Sequence, residues 1–480
     1  MHKTKLFIEN FFIYGFGGSI SKIIPLIMLP IVTRVMPSSL YFGLNDMSTL
    51  IVNFCSYFAI MGMYDAMYRM FFENEEKEYK RSVCSTTLFF TLFTSTILFL
   101  FMLIFKWYIA SFFFKSQDYV YLVYISAIAT LVSSTNSIVS APTRMQNKRM
   151  IFIITNTISP IVSYSISIPL LLNGHYVIAL PLATAISGII MEIAFWIMNK
   201  EWFTFKNIDF TLLKALLSIG VPLLPNFLIY WIFNSSDRLM IARLIGIDAS
   251  GIYAIGAKLG FASQLIYTAF AGGWQYFAFS TMKEKNQVKS NSQVFEYLGT
   301  ISFISTLFIC VVAKPIYMFV FEQEYHSAFI VSPYLFMAPL LQMLFQIAAN
   351  QFLVVKKTWP NFIILSSGAI VNIILNFYLI PIMGIEGAAI ATLSGYIISD
   401  CICVAVLIKK NLMIFSCRFC IITLIMAAMF LLWRTLLLDN IMMSFLLFLF
   451  FTILSALFYK KEILHLTKSL NKRFVKDNFT

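Results

Sequence analysis

Long apolar runs, separated by short polar segments, recur from one end of the chain to the other. Each run is long enough to cross about 30 Å of hydrocarbon as a helix that rises about 1.5 Å per residue. The pattern predicts an all-α polytopic membrane protein. Its fourteen predicted spans are residues 11–33, 42–63, 83–105, 119–140, 151–172, 176–198, 215–245, 251–279, 296–316, 328–350, 361–382, 385–408, 414–436 and 441–459.

Composition agrees with this class, because 60% of the 480 residues are hydrophobic and only 12% are charged. The net charge of +13 comes from Lys and Arg in the short segments between apolar runs, and no basic face with interleaved aromatic residues suggests a nucleic-acid partner. These basic segments follow the even-numbered spans, which predicts that both termini lie in the cytoplasm. The first span shows no cleavage pattern and is expected to remain in the mature protein.

Seven cysteines raise the question of a metal or redox site. Cys417 and Cys420 have a suitable spacing, but no histidine cluster accompanies them. We therefore expect the cysteines to pack as apolar residues, with no metal, no cofactor and no disulfide framework.

Two motifs recur at an offset of a little over 200 residues. "RVMPSSLYFGL" from Arg34 resembles "RLIGIDASGIY" from Arg243, and "IPLLLNGHYVIALPLATAISG" from Ile168 resembles "IPIMGIEGAAIATLSG" from Ile380. Six spans separate the copies, which predicts parallel repeats related by an axis along the membrane normal. The expected parts are an N-lobe at residues 1–200, a cytoplasmic linker at 201–214, a C-lobe at 215–410, and two further helices with a cytoplasmic tail at 411–480.

Four charged side chains are predicted inside the membrane. Arg238, next to Asp237 on the seventh span, and Lys258 on the eighth each lie about 12 Å from the outer boundary, counted at about 1.5 Å per residue. Lys22 lies about 16 Å from either end of the first span, which is too far for its stem to reach water. Because exposure to lipid would cost about 2.5–3.5 kcal/mol, we expect these lysines to face a water-filled interior.

Other interpretations remain open for these charges. Asp237 and Arg238 also fit a structural pair or the cap of a helix break, and Lys22 lies nearer an interface if the first span begins later.

The remaining charged candidates lie at the cytoplasmic ends of spans. Asp65 and Arg69, one turn apart, are a candidate gate ion pair or an ordinary surface pair. Glu192 and Asp400 are candidate sites for coupling to H⁺ or Na⁺. Their boundary position also fits an interfacial structural role in which both stay solvated and matter less than the lysines.

The stretch "GVPLLPNFLIYWIFNSSDRLMIARLIGIDASGIYAIGAKLG", together with "MGMYDAMYRMFFENEEKEYKRSV", resembles polysaccharide flippases of the Wzx type, in the multidrug/oligosaccharidyl-lipid/polysaccharide exporter superfamily. The resemblance covers essentially the whole chain. It implies two lobes around a central cavity, in a bacterial inner-membrane protein that moves undecaprenyl-diphosphate-linked oligosaccharides outward by alternating access. It also implies basic cavity residues, for which Lys22 and Lys258 are the candidates.

The resemblance further implies membrane lipid, a polysaccharide polymerase and glycosyltransferases as partners. Three alternatives remain. A lipid II flippase or a multidrug or cation antiporter has the same fold, although an antiporter would favour buried carboxylates. A membrane polymerase or ligase would need a large outer loop, which the sequence lacks, so the chain is not expected to be an enzyme. The sugar, the coupling ion and the final polymer cannot be inferred from the sequence.

Overall fold

The computed structural model describes residues 23–267, 270, 274, 286–355, 359–462 and 464, and none of these lies in a β-strand. Eleven of its helices are long and apolar enough to cross a membrane, or twelve when the bent pair Ser39–Ile60 and Met63–Phe71 counts as one span. These correspond to twelve of the fourteen predicted spans. The first and eighth predicted spans include residues outside the described ones, so the membrane class is confirmed and the count of fourteen is approximate.

Eighteen α-helices are numbered here in chain order. Their bounds are α1 Ile23–Val35, α2 Ser39–Ile60, α3 Met63–Phe71, α4 Lys77–Ile104, α5 Lys106–Phe114, α6 Val120–Met145, α7 Arg149–Leu172, α8 Tyr176–Asn199, α9 Phe210–Gly220, α10 Leu224–Trp231, α11 Asp237–Leu244, α12 Ile247–Gly260, α13 Gln287–Val320, α14 Ser332–Val354, α15 Trp359–Met383, α16 Ile385–Lys409, α17 Cys417–Leu432 and α18 Ile441–Phe458.

Contacts divide the chain into two compact units. The first contains the chain up to Leu259, together with Val320–Val331 and Leu365–Gly395. The second contains Gly260–Phe319, Ser332–Ile364 and the chain from Tyr396 onward. In the first unit, α6 packs against α2, α4 and α8 and so forms the centre of this helix group.

Two glycines allow α2 and α12 to cross at backbone distance within the first unit. A Cβ atom on Gly43 would lie 2.0 Å from the carbonyl oxygen of Ile247, and one on Gly251 would lie 2.1 Å from that of Ser39. The contacts are reciprocal, because both Gly43 to Gly251 and Ser39 to Ile247 are separated by 208 residues. The repeat seen in the sequence therefore meets its own copy at this crossing.

The start of α2 is capped by a residue far away in the chain. Glu324 Oε1 accepts hydrogen bonds from the backbone N–H of Ser39 at 2.9 Å and from its hydroxyl at 2.6 Å. A carboxylate at this position satisfies an amide that the helix leaves unpaired and also interacts favourably with the helix dipole. This contact fixes the end of the helix that carries Asn45, Thr49 and Asn53 on the cavity wall.

The seventh span, Phe210–Leu244, is interrupted twice. A 3-10 turn at Val221–Leu223 follows α9, at the position where Pro222 removes a backbone donor. A π-helical turn at Ile232–Ser236 then separates α10 from α11. The first break coincides with Pro222, and the second directly precedes Asp237 and Arg238.

The segment after α8 packs against α3 and α4. Trp202 is buried beside Phe71, with ring centroids 5.3 Å apart, and the Thr204 N–H donates to Ser85 Oγ at 2.9 Å. Asp209 then caps α9, and a hydrogen bond from the Thr211 hydroxyl holds the pKa of Asp209 below its usual value. The first part of the predicted linker is thus held against the first unit.

Candidate functional site

A polar cavity of about 550 Å³ lies within the first unit. Its walls come from α1, α2, α6, α7, α8 and α12. Hydroxyl or amide side chains make up thirteen of the twenty-seven lining residues: Asn45, Ser48, Thr49, Asn53, Ser126, Ser133, Asn136, Asn156, Ser159, Ser163, Tyr164, Thr184 and Ser187. A wall of this composition inside a bundle of membrane helices indicates a space for water or a polar ligand, because lipid cannot satisfy such groups.

Lys258 of α12 is the single charged side chain among the described residues of the cavity wall. The side chain is exposed to the cavity, and no described residue accepts a hydrogen bond or ion pair from its ammonium. Lys258 therefore supplies a free positive charge at the cavity. The sequence prediction of a lysine facing a polar interior agrees with this position.

Helix α2 explains how polar and charged groups are separated around the cavity. Asn45, Thr49 and Asn53 lie four residues apart and form a stripe on the cavity wall. The neighbouring residue Asp46 points about 100° away and is buried, with 7% of its side chain exposed. One helix thus presents neutral amides to the cavity and a carboxylate to the protein interior.

Asp46 forms a buried ion pair with Arg238 of α11. Arg238 Nη1 donates to Asp46 Oδ1 at 2.9 Å, and 15% of the arginine side chain is exposed. Lys258 lies close enough to interact electrostatically with both partners. Asp46 is not among the site residues predicted from the sequence. The signal that could have identified it is a single carboxylate within an apolar run.

Asp237 belongs to a second buried group. It accepts hydrogen bonds from the Tyr253 hydroxyl, from the Arg238 backbone N–H at 2.8 Å and from Thr392 Oγ1 at 3.4 Å. Asn372 extends the group by donating to Thr392 at 3.1 Å. Neither Asp237 nor Arg238 lies on the cavity wall, so the structure shows both in structural pairings beside it.

The remaining predicted site residues lie apart from the cavity. Lys22 is outside the described residues. Glu192 lines a separate small cavity of about 90 Å³, together with apolar residues such as Trp196 and the hydroxyl residues Ser85, Thr135 and Thr204. Asp65 and Arg69 lie exposed on α3, and no ion pair joins them among the described residues.

The expectation that Asp400 is solvated is wrong. Position near a span end suggested a solvated carboxylate, whereas the residue is only 9% exposed and both carboxylate oxygens lack a hydrogen-bond partner among the described residues. Burial of this kind depends on neighbouring helices, which a count of residues along one span cannot show. No group of three His, Cys, Asp or Glu residues in the described part of the chain is arranged to hold a metal ion.

Residues 31–330 match the model of a family described as polysaccharide biosynthesis protein. The solved structure of the lipid II flippase MurJ in an inward closed conformation is similar over 94% of this chain and 99% of that chain, with a TM-score of 0.72 and 17% identity. No curated protein matches the chain.

Multidrug resistance MATE family transporters of the MOP superfamily are similar as well. The inward-facing structure covers 82% of this chain and 98% of its own, with a TM-score of 0.58 and 14% identity. The outward-facing structure covers 82% and 93%, with a TM-score of 0.55 and 12% identity.

At these identities the structural likeness shows the fold. The similar solved structures are named as a flippase and as multidrug transporters. The family match covers more than half of the sequence. The chain therefore belongs to the polysaccharide biosynthesis protein family and has the fold of the flippases and transporters of the MOP superfamily.

Proposed function

We propose that this protein is a Wzx-type flippase that moves undecaprenyl-diphosphate-linked oligosaccharide repeat units from the cytoplasmic to the outer leaflet of the bacterial inner membrane. The observation that carries the proposal is the polar cavity, whose described lining residues include one unpaired ammonium, that of Lys258. A lipid-linked oligosaccharide needs both features, because its sugars require hydrogen-bonding groups and its diphosphate requires positive charge.

Lys258 has the charge and the freedom to bind the diphosphate. An ammonium about 4 Å from a phosphate contributes on the order of 4 kcal/mol of attraction at an effective dielectric constant near 20, before desolvation. Lysine is a compact charge on a flexible stem and does not impose bidentate geometry, which suits a ligand that must be released. Lys22 is proposed as the second cation for the same headgroup.

The lack of carboxylates on the described cavity wall favours this proposal over a cation antiporter. A cationic drug needs a negative group on the transport path, whereas no Asp or Glu occurs among the described lining residues of the cavity. Asp46 is close to the cavity but already neutralised by Arg238. Glu192 and Asp400 are proposed to matter less for transport than the lysines, and they are the candidate groups if transport is coupled to H⁺ or Na⁺.

The proposal includes a topology and a transport cycle. Both termini and residues 201–214 lie in the cytoplasm, and the lobes at 1–200 and 215–410 move in alternating access. A polymerase and glycosyltransferases would act on the same lipid-linked substrate. Cysteine labelling at Lys206 checks the topology, since labelling by an impermeant reagent from the outer side would refute it.

The function is tested by surface-polysaccharide complementation in a deletion strain. Lys258→Glu should abolish the polymer at unchanged membrane levels of the protein, while Lys258→Arg should retain part of it because the charge is kept. Lys289→Glu, at an exposed helical position, is the matched control and should be silent. Wild-type polymer from Lys258→Glu would refute the proposed phosphate site, and rescue of a strain depleted of its lipid II flippase would instead assign lipid II as the substrate.

A further inference from the structure

Four asparagine side chains on the cavity wall form no hydrogen bond with any described residue. They are Asn45 and Asn53 on α2, Asn136 on α6 and Asn156 on α7. Each amide offers two donors and an acceptor oxygen, and an amide left unpaired in a membrane helix is costly. Several lining hydroxyls, in contrast, already donate to carbonyl groups of their own helices, as Ser48 does to Leu44.

The spacing of these amides suits an extended ligand. Asn45 and Asn53 are eight residues apart, which corresponds to about 12 Å along α2. Asn136 and Asn156 approach from two other helices, so amides from three helices converge on one space. A volume of about 550 Å³ is within the range of sites for ligands of several rings.

Charge is excluded from this wall. Asp46 is adjacent to Asn45 in the sequence but is turned away and paired with Arg238 at 2.9 Å. Of the described lining residues only Lys258 is charged, and in the proposed function it binds the diphosphate. A carboxylate on the sugar would then find no free cation, and an ammonium on the sugar would find no carboxylate.

We infer that this cavity selects an uncharged saccharide, whose hydroxyl and acetamido groups are bound by Asn45, Asn53, Asn136 and Asn156. The inference deepens the proposed function and rests on it. Hydroxyl and acetamido groups both donate and accept hydrogen bonds and so match amides. A charged sugar would lose its hydration on entering the cavity and would gain no counterion there. This desolvation cost disfavours its binding and so provides specificity for the neutral sugar.

Binding to the purified full-length protein in lipid nanodiscs tests this inference. The probes are farnesyl diphosphate alone, the same compound bearing a neutral trisaccharide of galactose and N-acetylglucosamine, and a third in which galacturonic acid replaces galactose. We expect the neutral probe to bind at least about tenfold more tightly than farnesyl diphosphate alone, a factor that one or two net hydrogen bonds supply. The uronate probe should bind no more tightly than farnesyl diphosphate.

Variants with an added charge give a second measurement. Asn136→Lys places a cation among the amides, so the ratio of neutral to uronate affinity should fall by about tenfold or more. Asn173→Lys, at an exposed turn outside the cavity, is the matched control and should leave the ratio unchanged. Asn156→Ala should weaken the neutral probe and leave farnesyl diphosphate unaffected.

The outcomes separate the two proposals. Equal or tighter binding of the uronate probe by the wild type would overturn the inference and leave the proposed function intact. Failure of farnesyl diphosphate to bind, together with no effect of Lys258→Ala on any probe, would overturn the proposed function as well. Equal binding of all three probes would show that the amides are solvated by water only, which also overturns the inference.

Discussion

Breaking the ion pair between Asp46 and Arg238 should destabilise the protein, and removing both charges should restore much of the loss. At 2.9 Å and an effective dielectric constant near 20, the pair attracts with about 6 kcal/mol, which offsets the cost of burying two charges. Asp46→Leu or Arg238→Leu alone leaves one buried charge without its partner, at a typical cost of about 3–5 kcal/mol.

Because other charges lie nearby, we expect each single variant to lose about 3 kcal/mol of unfolding free energy, at the lower end of that range. Lys258 interacts with Asp46, and Asp237 interacts with Arg238, so neither stranded charge is wholly uncompensated. The double variant Asp46→Leu/Arg238→Leu leaves no stranded charge. We therefore expect a coupling energy of at least about 2 kcal/mol in the double-mutant cycle.

The assay is unfolding in mixed micelles, followed by the loss of helical circular dichroism, for the wild type, both single variants and the double variant. The matched control is the exposed pair Lys77 and Glu201, at 3.2 Å, whose cycle should give less than about 1 kcal/mol. Strict additivity of the Asp46 and Arg238 variants, or a coupling energy equal to that of the exposed pair, would refute the account of a buried, mutually dependent pair.

Three further changes test other parts of the structure. Gly251→Leu should lower the free energy of unfolding by about 1–3 kcal/mol, because its side chain would collide with the Ser39 carbonyl oxygen, and an unchanged unfolding curve would contradict this crossing. Arg418→Ala removes the 3.0 Å ion pair to buried Glu296 and should cost about 2 kcal/mol, whereas Arg418→Lys should cost less in the same thermal melt. Asp400→Asn should preserve stability within about 1 kcal/mol and preserve surface polysaccharide, since it removes a buried carboxylate that has no hydrogen-bond partner among the described residues. Loss of polymer at normal protein levels would instead make Asp400 the leading candidate for ion coupling.

The membrane spans could be predicted because their signal is local. A helix needs about 20 apolar residues to cross the hydrocarbon, and that length can be read from a single run. The 3-10 turn of the seventh span also has a local cause, since Pro222 removes a backbone donor at that position. The π-turn at Ile232–Ser236 has no such local marker and was not predicted.

Pairings between distant residues could not be predicted from a single sequence. Asp46 and Arg238 are 192 positions apart, and Glu324 caps a helix that begins 285 positions earlier. The burial of Asp400 likewise depends on neighbouring helices, not on its distance from the end of its span. These features arise from tertiary packing, which overrides the average environment expected at a given depth.

The amide stripe on α2 was readable but was overlooked. Asn45, Thr49 and Asn53 recur every four residues within an apolar run, which places them on one face of a helix. Charge alone marks Lys258 in the sequence but does not mark these neutral groups. Within membrane helices an uncharged amide is also costly, so its periodicity deserves the same weight as a charge.

The buried pair and the free lysine are linked through two helices. Asp46 and Asn45 are consecutive on α2, so the contact that joins α2 to α11 also sets the rotation at which the amide stripe faces the cavity. Lys258 lies on α12, whose close crossing with α2 at Gly251 fixes its position relative to that stripe. A lone cation can stay unpaired here because the nearest carboxylate already has a partner in Arg238. Loss of Arg238 would therefore do more than destabilise the fold, since Asp46 would be released to pair with Lys258 and remove the free charge from the cavity.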